Sequence, residues 1–143
     1  MARVILKKDD YKKMLEHARE LAPEEACGLI AGTEAREESG IVRTVHKVYL
    51  LTNTDHSEEH FSLAPKEQLA AVKDMRESGW KPLGNWHSHP ASPSRSSAED
   101  IRLAFDKNAS YLILSLMDKD NPVLHSFHVE DGISTQEELE IEG

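Results

Sequence analysis

His87-Ser88-His89 sets two imidazoles on alternate residues at the end of a run, Leu83 to His87, that reads as a strand. In extended backbone, residues i and i+2 leave the same face, about 6.5–7 Å apart at their α-carbons. Both rings can therefore reach one metal ion at about 2.0–2.1 Å. Asp100 follows His89 by eleven residues, and Ser97 stands three residues before Asp100. Two imidazoles and one carboxylate leave a fourth tetrahedral position for water, the pattern of a catalytic rather than a closed structural zinc site. Glu25 is a distant acidic candidate. Ser97-x-x-Asp100 also reads as a helix start, with Ser97 at the N-cap and an acid at N3. Capping and catalysis are compatible, since a helix start holds Asp100 rigidly.

The elements that must position these groups follow from periodicity and punctuation. Val4 to Leu6 reads as a strand. Asp9 or Asp10 can cap a helix running to Leu21, with Met14, Ala18 and Leu21 on one face and Pro23 stopping it. Ala26 to Gly32 suits a buried strand, Glu34 to Gly40 a charged turn, and Ile41 to Thr52 one long strand or two. Thr54 to His60 is a polar loop. Pro65 opens a helix with Leu69, Val72 and Met75 as its buried stripe, and Gly79 ends it. Ala91 to Ser96 is a loop that must wrap the metal. Ser97 to Asn108 is expected to be a helix burying Ile101, Ala104 and Phe105. Tyr111 to Met117 and Val123 to Val129 read as strands separated by a turn at Asn121-Pro122. Residues 1–135 are expected to form one domain, with 136–143 an acidic tail, frayed or a short surface helix. Strands alternating with helices argue for an α/β fold with a mixed sheet flanked by helices.

The string His87-Ser88-His89-Pro90, six residues, then Ser97-x-x-Asp100 resembles the JAMM motif of the MPN+ (Mov34/PAD-1-like) zinc metallopeptidases without a mismatch. Pro23-Glu24-Glu25-Ala26-Cys27-Gly28-Leu29-Ile30-Ala31-Gly32 resembles the family's upstream segment. The likeness spans about residues 3 to 130, and the chain closely resembles the small prokaryotic branch, whose members process ubiquitin-like and sulfur-carrier (ThiS/MoaD-like) proteins. It implies the curved sheet and flanking helices of the MPN fold. It also implies one zinc ion per chain on His87, His89 and Asp100, Glu25 as general acid and base, and Ser97 as oxyanion donor. On residue types alone Glu24 is as eligible as Glu25; the resemblance chooses Glu25. The implied partner is a β-grasp protein ending in Gly-Gly, cut after that tail, with Thr54 to His60 and Ala91 to Ser96 flanking the groove.

Bulk properties narrow the field. The chain has 143 residues, enough for one core, and a net charge of -9 with 26 acidic against 17 basic residues. Such a surface repels nucleic acid and acidic membranes. No apolar run approaches a membrane span, and the amino-terminal residues lack a signal-peptide core. One cysteine excludes an intrachain disulfide and a cysteine zinc cage, which fits a reducing cytoplasm. A nucleobase deaminase needs a Pro-Cys-x-x-Cys segment that is missing. Two other readings compete: a non-catalytic MPN scaffold, whose branches generally lack the ligands, and a RadC-like DNA-associated protein, which the acidic balance disfavours. His125-x-x-His128 points to both faces of a strand, and His17, His46, His56 and His60 read as surface or packing residues. Cys27 reads as a small buried hydrophobe, and Trp86 as core. The oligomeric state is open.

Overall fold

Every second residue of the first strand is buried, Ala2, Val4 and Leu6 inward and the residues between them further out, because a pleated strand alternates faces. That strand, β1 (Ala2–Lys7), begins an order that continues α1 (Lys8–Leu21), β2 (Cys27–Glu37), β3 (Gly40–Leu51), α2 (Pro65–Glu77), β4 (Lys81–His89), α3 (Ala98–Leu103), β5 (Ser110–Ser115), β6 (Val123–Glu130) and β7 (Ile133–Glu142). The computed structural model describes residues 2–143. The strands join in the order β1-β3-β2-β4-β5-β6-β7, and the sheet closes where β7 returns to β1. Pairs β1/β3, β1/β7 and β4/β5 are parallel and the others antiparallel. The expected single α/β domain with a curved mixed sheet and flanking helices is what forms.

Two apolar clusters hold the helices on the sheet. Met14 and Ala18 of α1 pack with Val4, Ile30, Trp86, Leu112 and Leu114, while Ala71 and Met75 of α2 pack with Ala31, Tyr49 and Leu51. A fully buried Leu or Met contributes about 1.5–3 kcal/mol, so these contacts dominate over helix propensity. Trp86 crosses β2 at Gly28 and donates from Nε1 to the Tyr49 carbonyl at 3.0 Å. A Cβ on Gly28 would lie 1.7 Å from that carbonyl oxygen and 2.4 Å from the indole nitrogen, so only glycine admits the crossing. The register then sets Cys27 opposite His87, which fixes the height of the first imidazole.

Several expectations are corrected. Lys7, not Asp9 or Asp10, stands at the N-cap of α1, and the two acids occupy its first turn, where they complement the helix dipole. Glu34 to Glu37 is strand rather than turn, because Glu34 is drawn onto Arg43 at 2.8 Å and Lys81 at 2.6 Å. In α2 the inward stripe is Ala71 and Met75, and Leu69 is 72 % exposed. The helix α3 stops at Leu103, buries nothing and leaves Phe105 87 % exposed. Residues 136–142 are neither frayed nor helical but lie in β7, satisfied by main-chain pairing with β6 and β1. Among the described residues no helix is long and apolar enough to cross a membrane.

Candidate metal centre and active site

β4 delivers His87 and His89 side by side at its carboxyl end, both buried. Their Nε2 atoms are 3.1 Å apart. Asp100 completes a triangle, Oδ1 lying 3.2 Å from His87 Nε2 and Oδ2 lying 3.0 Å from His89 Nε2. A tetrahedral centre about 2.0–2.1 Å from each donor has an edge of about 3.3 Å; the separations here are near that value, with the carboxylate meeting each imidazole through a different oxygen. Among the described residues these three form the one group of His, Cys, Asp or Glu side chains close enough to share an ion. Without an ion the two rings can share an Nε2–H···Nε2 hydrogen bond at this distance, and with both Nε2 atoms deprotonated they present two lone pairs and a carboxylate to one point. The donor set therefore fits a cation.

The surroundings fix the orientation of each donor. His89 Nδ1 donates to the Pro93 carbonyl at 2.9 Å, which turns the Nε2 lone pair inward. The loop that carries Pro93 is tied down by Ser94 Oγ donating to Ile113 O and Ser115 Oγ donating to Ser92 O, both at 2.6 Å. Phe61 stacks on His87 with ring centres 4.8 Å apart. Ser97 Oγ accepts the Asp100 amide at 3.0 Å and the Asp100 carboxylate accepts the Ser97 amide at 2.9 Å. The capping box expected from the sequence is thus present. Burial pushes the His87 imidazole down in pKa. Burial also opposes charge on His89, but its hydrogen bonds to Asp100 and Pro93 leave it raised. At Asp100 burial favours the neutral acid, yet bonds from both histidines and the Ser97 amide hold it far below the usual carboxylate range.

Glu24 and Glu25, equivalent by residue type, are separated by their surroundings. Glu24 is partly exposed, 3.5 Å from His56. Glu25 is only 3 % exposed, and its Oε1 is buried without a partner. Burial pushes its pKa up from 4.5 to about 8, His89 opposing and Asp100 adding to the rise. Its main chain is gripped from both sides. The Glu25 amide donates to Ser57 O at 2.8 Å, and Asn53 Nδ2 donates to Glu25 O at 3.0 Å. The next residue, Ala26, exchanges two bonds with Ser88, its amide donating to Ser88 Oγ at 2.8 Å and its carbonyl accepting the Ser88 amide at 2.9 Å. Ser88 thereby clips the Glu25 segment to the strand between the two histidines.

Residue types did not single out Ser88, Asn53 or Phe61. Asn53 uses its whole carboxamide, Oδ1 accepting the Asp55 and Ser62 amides while Nδ2 donates to Glu25 O and His60 O. The other histidines have local partners: His125 lies 3.2 Å from Ser94 O, and His128 and His60 lie beside Glu130 and Asp55. Cys27 is buried, and burial pushes its thiol up to about 12, so it is no nucleophile. A cavity of about 300 Å³ opens onto His87 and Asp100, with His60 and Ser96 from the two flanking loops in its wall.

Residues 7–129 match the family described as prokaryotic homologs of the JAB domain. The chain is similar to the CysO-cysteine peptidase of Mycobacterium tuberculosis, 29% identical over 138 residues that span 96% of this chain and 90% of that protein. It is also similar to the desampylase of Haloferax volcanii, 31% identical over 119 residues, 80% of this chain and 81% of that one. Among solved structures, a protein from Desulfitobacterium hafniense superposes with a TM-score of 0.85 at 50% identity, covering 97% of this chain and 92% of that one. A JAB1/MPN domain protein from Archaeoglobus fulgidus shares the fold, with a TM-score of 0.58 at 21% identity and 99% coverage of both chains.

Proposed function

The chain belongs to the family of prokaryotic homologs of the JAB domain, and on that premise we propose that it is a zinc-dependent peptidase or isopeptidase cutting after the Gly-Gly tail of a ubiquitin-like or sulfur-carrier protein. One observation carries the reading: three donors within 4.8 Å of one another, with a buried carboxyl on the adjoining segment whose Oε1 has no partner. His87, His89 and Asp100 would hold one zinc ion, whose Lewis acidity lowers the pKa of water towards about 7 and polarises a carbonyl.

The remaining chemistry belongs to the chain. Glu25 takes the proton of the attacking water on its carboxylate and returns it to the leaving amine. Its buried setting keeps bulk water from competing for that proton. Ser97 Oγ already accepts from the Asp100 amide, which leaves its own hydrogen to donate to the developing oxyanion. His89 is held in one tautomer by Pro93. Relatives named CysO-cysteine peptidase and desampylase support a substrate of the protein-conjugate kind. A side-chain-poor Gly-Gly end can lie closest to a walled site, and the same wall excludes ordinary folded chains.

The test is intact mass spectrometry of a β-grasp protein ending in Gly-Gly and extended by one residue, incubated with the zinc-loaded enzyme. Release of that residue alone, with unfolded casein left intact, supports the reading. An intact fusion beside degraded casein contradicts it.

A further inference from the structure

Asn85 stands two residues before His87 on β4 and so shares its face. On the neighbouring β5, Tyr111 pairs with Asn85 and Ile113 with His87, and all four line the cavity that opens onto the metal centre. Asn85 Oδ1 is buried and has no hydrogen-bond partner. Beside it on β5, Ile113 is apolar and the Tyr111 hydroxyl is turned to the main chain of Asp106, while the wall's polar side chains, Ser62, Gln68 and Ser96 among them, make no bond to it. An unsatisfied buried acceptor destabilises a fold, and such a group at a cavity mouth is completed when a ligand arrives.

We propose that Asn85 determines specificity by clamping the main chain of the substrate tail, Oδ1 accepting a peptide N–H and Nδ2 donating to a peptide carbonyl. The inference rests on the proposed peptidase function. A carboxamide presents an acceptor and a donor side by side, the complement of one extended residue, and a Gly-Gly end has no side chains to read. The acyl part of the substrate then occupies this cavity, which His87 and Asp100 line, with the leaving amine towards Glu25. Asn85 and His87 are about 6.5–7 Å apart along the strand. That separation matches two residues of tail, so the clamped residue is the one preceding Gly-Gly.

The test uses a short peptide that ends in Gly-Gly plus one residue, and its analogue N-methylated at the residue preceding Gly-Gly. Asn85→Leu removes the orphan acceptor and is expected to melt at or above the wild-type temperature, to keep its zinc, and to raise KM at least tenfold with little change in kcat. N-methylation is expected to cost the wild type at least tenfold in kcat/KM and Asn85→Leu nothing further. Moving the methyl group one residue upstream is expected to restore wild-type turnover, an arm that needs no variant. An unchanged KM in Asn85→Leu, or equal sensitivity to methylation in both proteins, overturns the clamp. No turnover by the wild type overturns the proposed function instead. The clamp is then decided by NMR titration with the peptide cut back to Gly-Gly: weaker binding to Asn85→Leu supports it, and equal binding overturns it.

Discussion

Asp100 Oδ2 accepts the Ser97 amide at 2.9 Å and lies 3.0 Å from His89 Nε2. The helix cap and the candidate metal centre therefore share an atom. Because α3 is six residues long and fully buries none of them, little packing holds it, and short helices are marginal alone.

Metal should accordingly order α3. Zinc added to the metal-free protein is expected to slow amide exchange over residues 98–103, and Asp100→Ala is expected to abolish the effect together with zinc binding. Exchange in α3 that ignores zinc in the wild type would separate the helix from the site.

The cap that Ser97 provides and the oxyanion donation proposed for it can be separated by substitution. Ser97→Ala should lose about 0.5–2 kcal/mol of stability with the cap and, with zinc retained, lose activity with the oxyanion donor. Ser97→Asp restores a capping acceptor but no hydroxyl, so its melting temperature should recover while its activity stays low. Recovery of both in Ser97→Asp would confine Ser97 to capping.

The cluster of His87, His89 and Asp100 is legible from residue types because its parts are local: a period-two strand puts His87 and His89 on one face, and Ser97-x-x-Asp100 caps its own helix; the choice of Glu25 over Glu24 comes from the resemblance. What was hidden depends on distant partners. β7 reads as solvated because its inward side chains are only Glu137 and the half-buried Leu139; Ser126 Oγ donates to Glu137 at 2.7 Å and two neighbouring strands complete the pairing. Phe105 fits a helical stripe, yet α3 ends two residues earlier and Phe105 stands 87 % exposed at the rim of the cavity. Asn53 gives no local signal at all, since all that marks it is a set of bonds to segments that are only brought together by folding.

The buried Glu25 carboxyl makes a pH prediction for the protein stripped of metal. Its pKa is 4.5 when unfolded and about 8 when folded, so between those values the folded state binds more protons. Stability attributable to this group falls as pH rises through that window. Glu25→Gln has no such proton to lose, so the metal-free variant should melt above the metal-free wild type at pH 8, with the gap closing towards pH 4.5. A gap that is constant with pH would place the Glu25 carboxyl in water.

Asn53 should act through Glu25, whose carbonyl it holds. Asn53→Asp keeps the acceptor for the Asp55 and Ser62 amides but sets a carboxylate oxygen against the Glu25 and His60 carbonyls, costing about 1–3 kcal/mol. Turnover should fall with zinc retained at a temperature where the variant is folded. In a Glu25→Gln background the same change should cost no further activity. Independent, multiplying losses would show that Asn53 merely supports the fold.

The most direct test is the single-turnover cleavage rate of Glu25→Gln and Glu24→Gln on the extended β-grasp fusion, each protein carrying one zinc by elemental analysis. Glu25→Gln should be slower than wild type by about 10²–10⁴-fold, the usual worth of a general acid–base group, and Glu24→Gln should match wild type. A Glu25→Gln enzyme that cleaves at the wild-type rate, or a loss confined to Glu24→Gln, would contradict the assignment of proton transfer to Glu25.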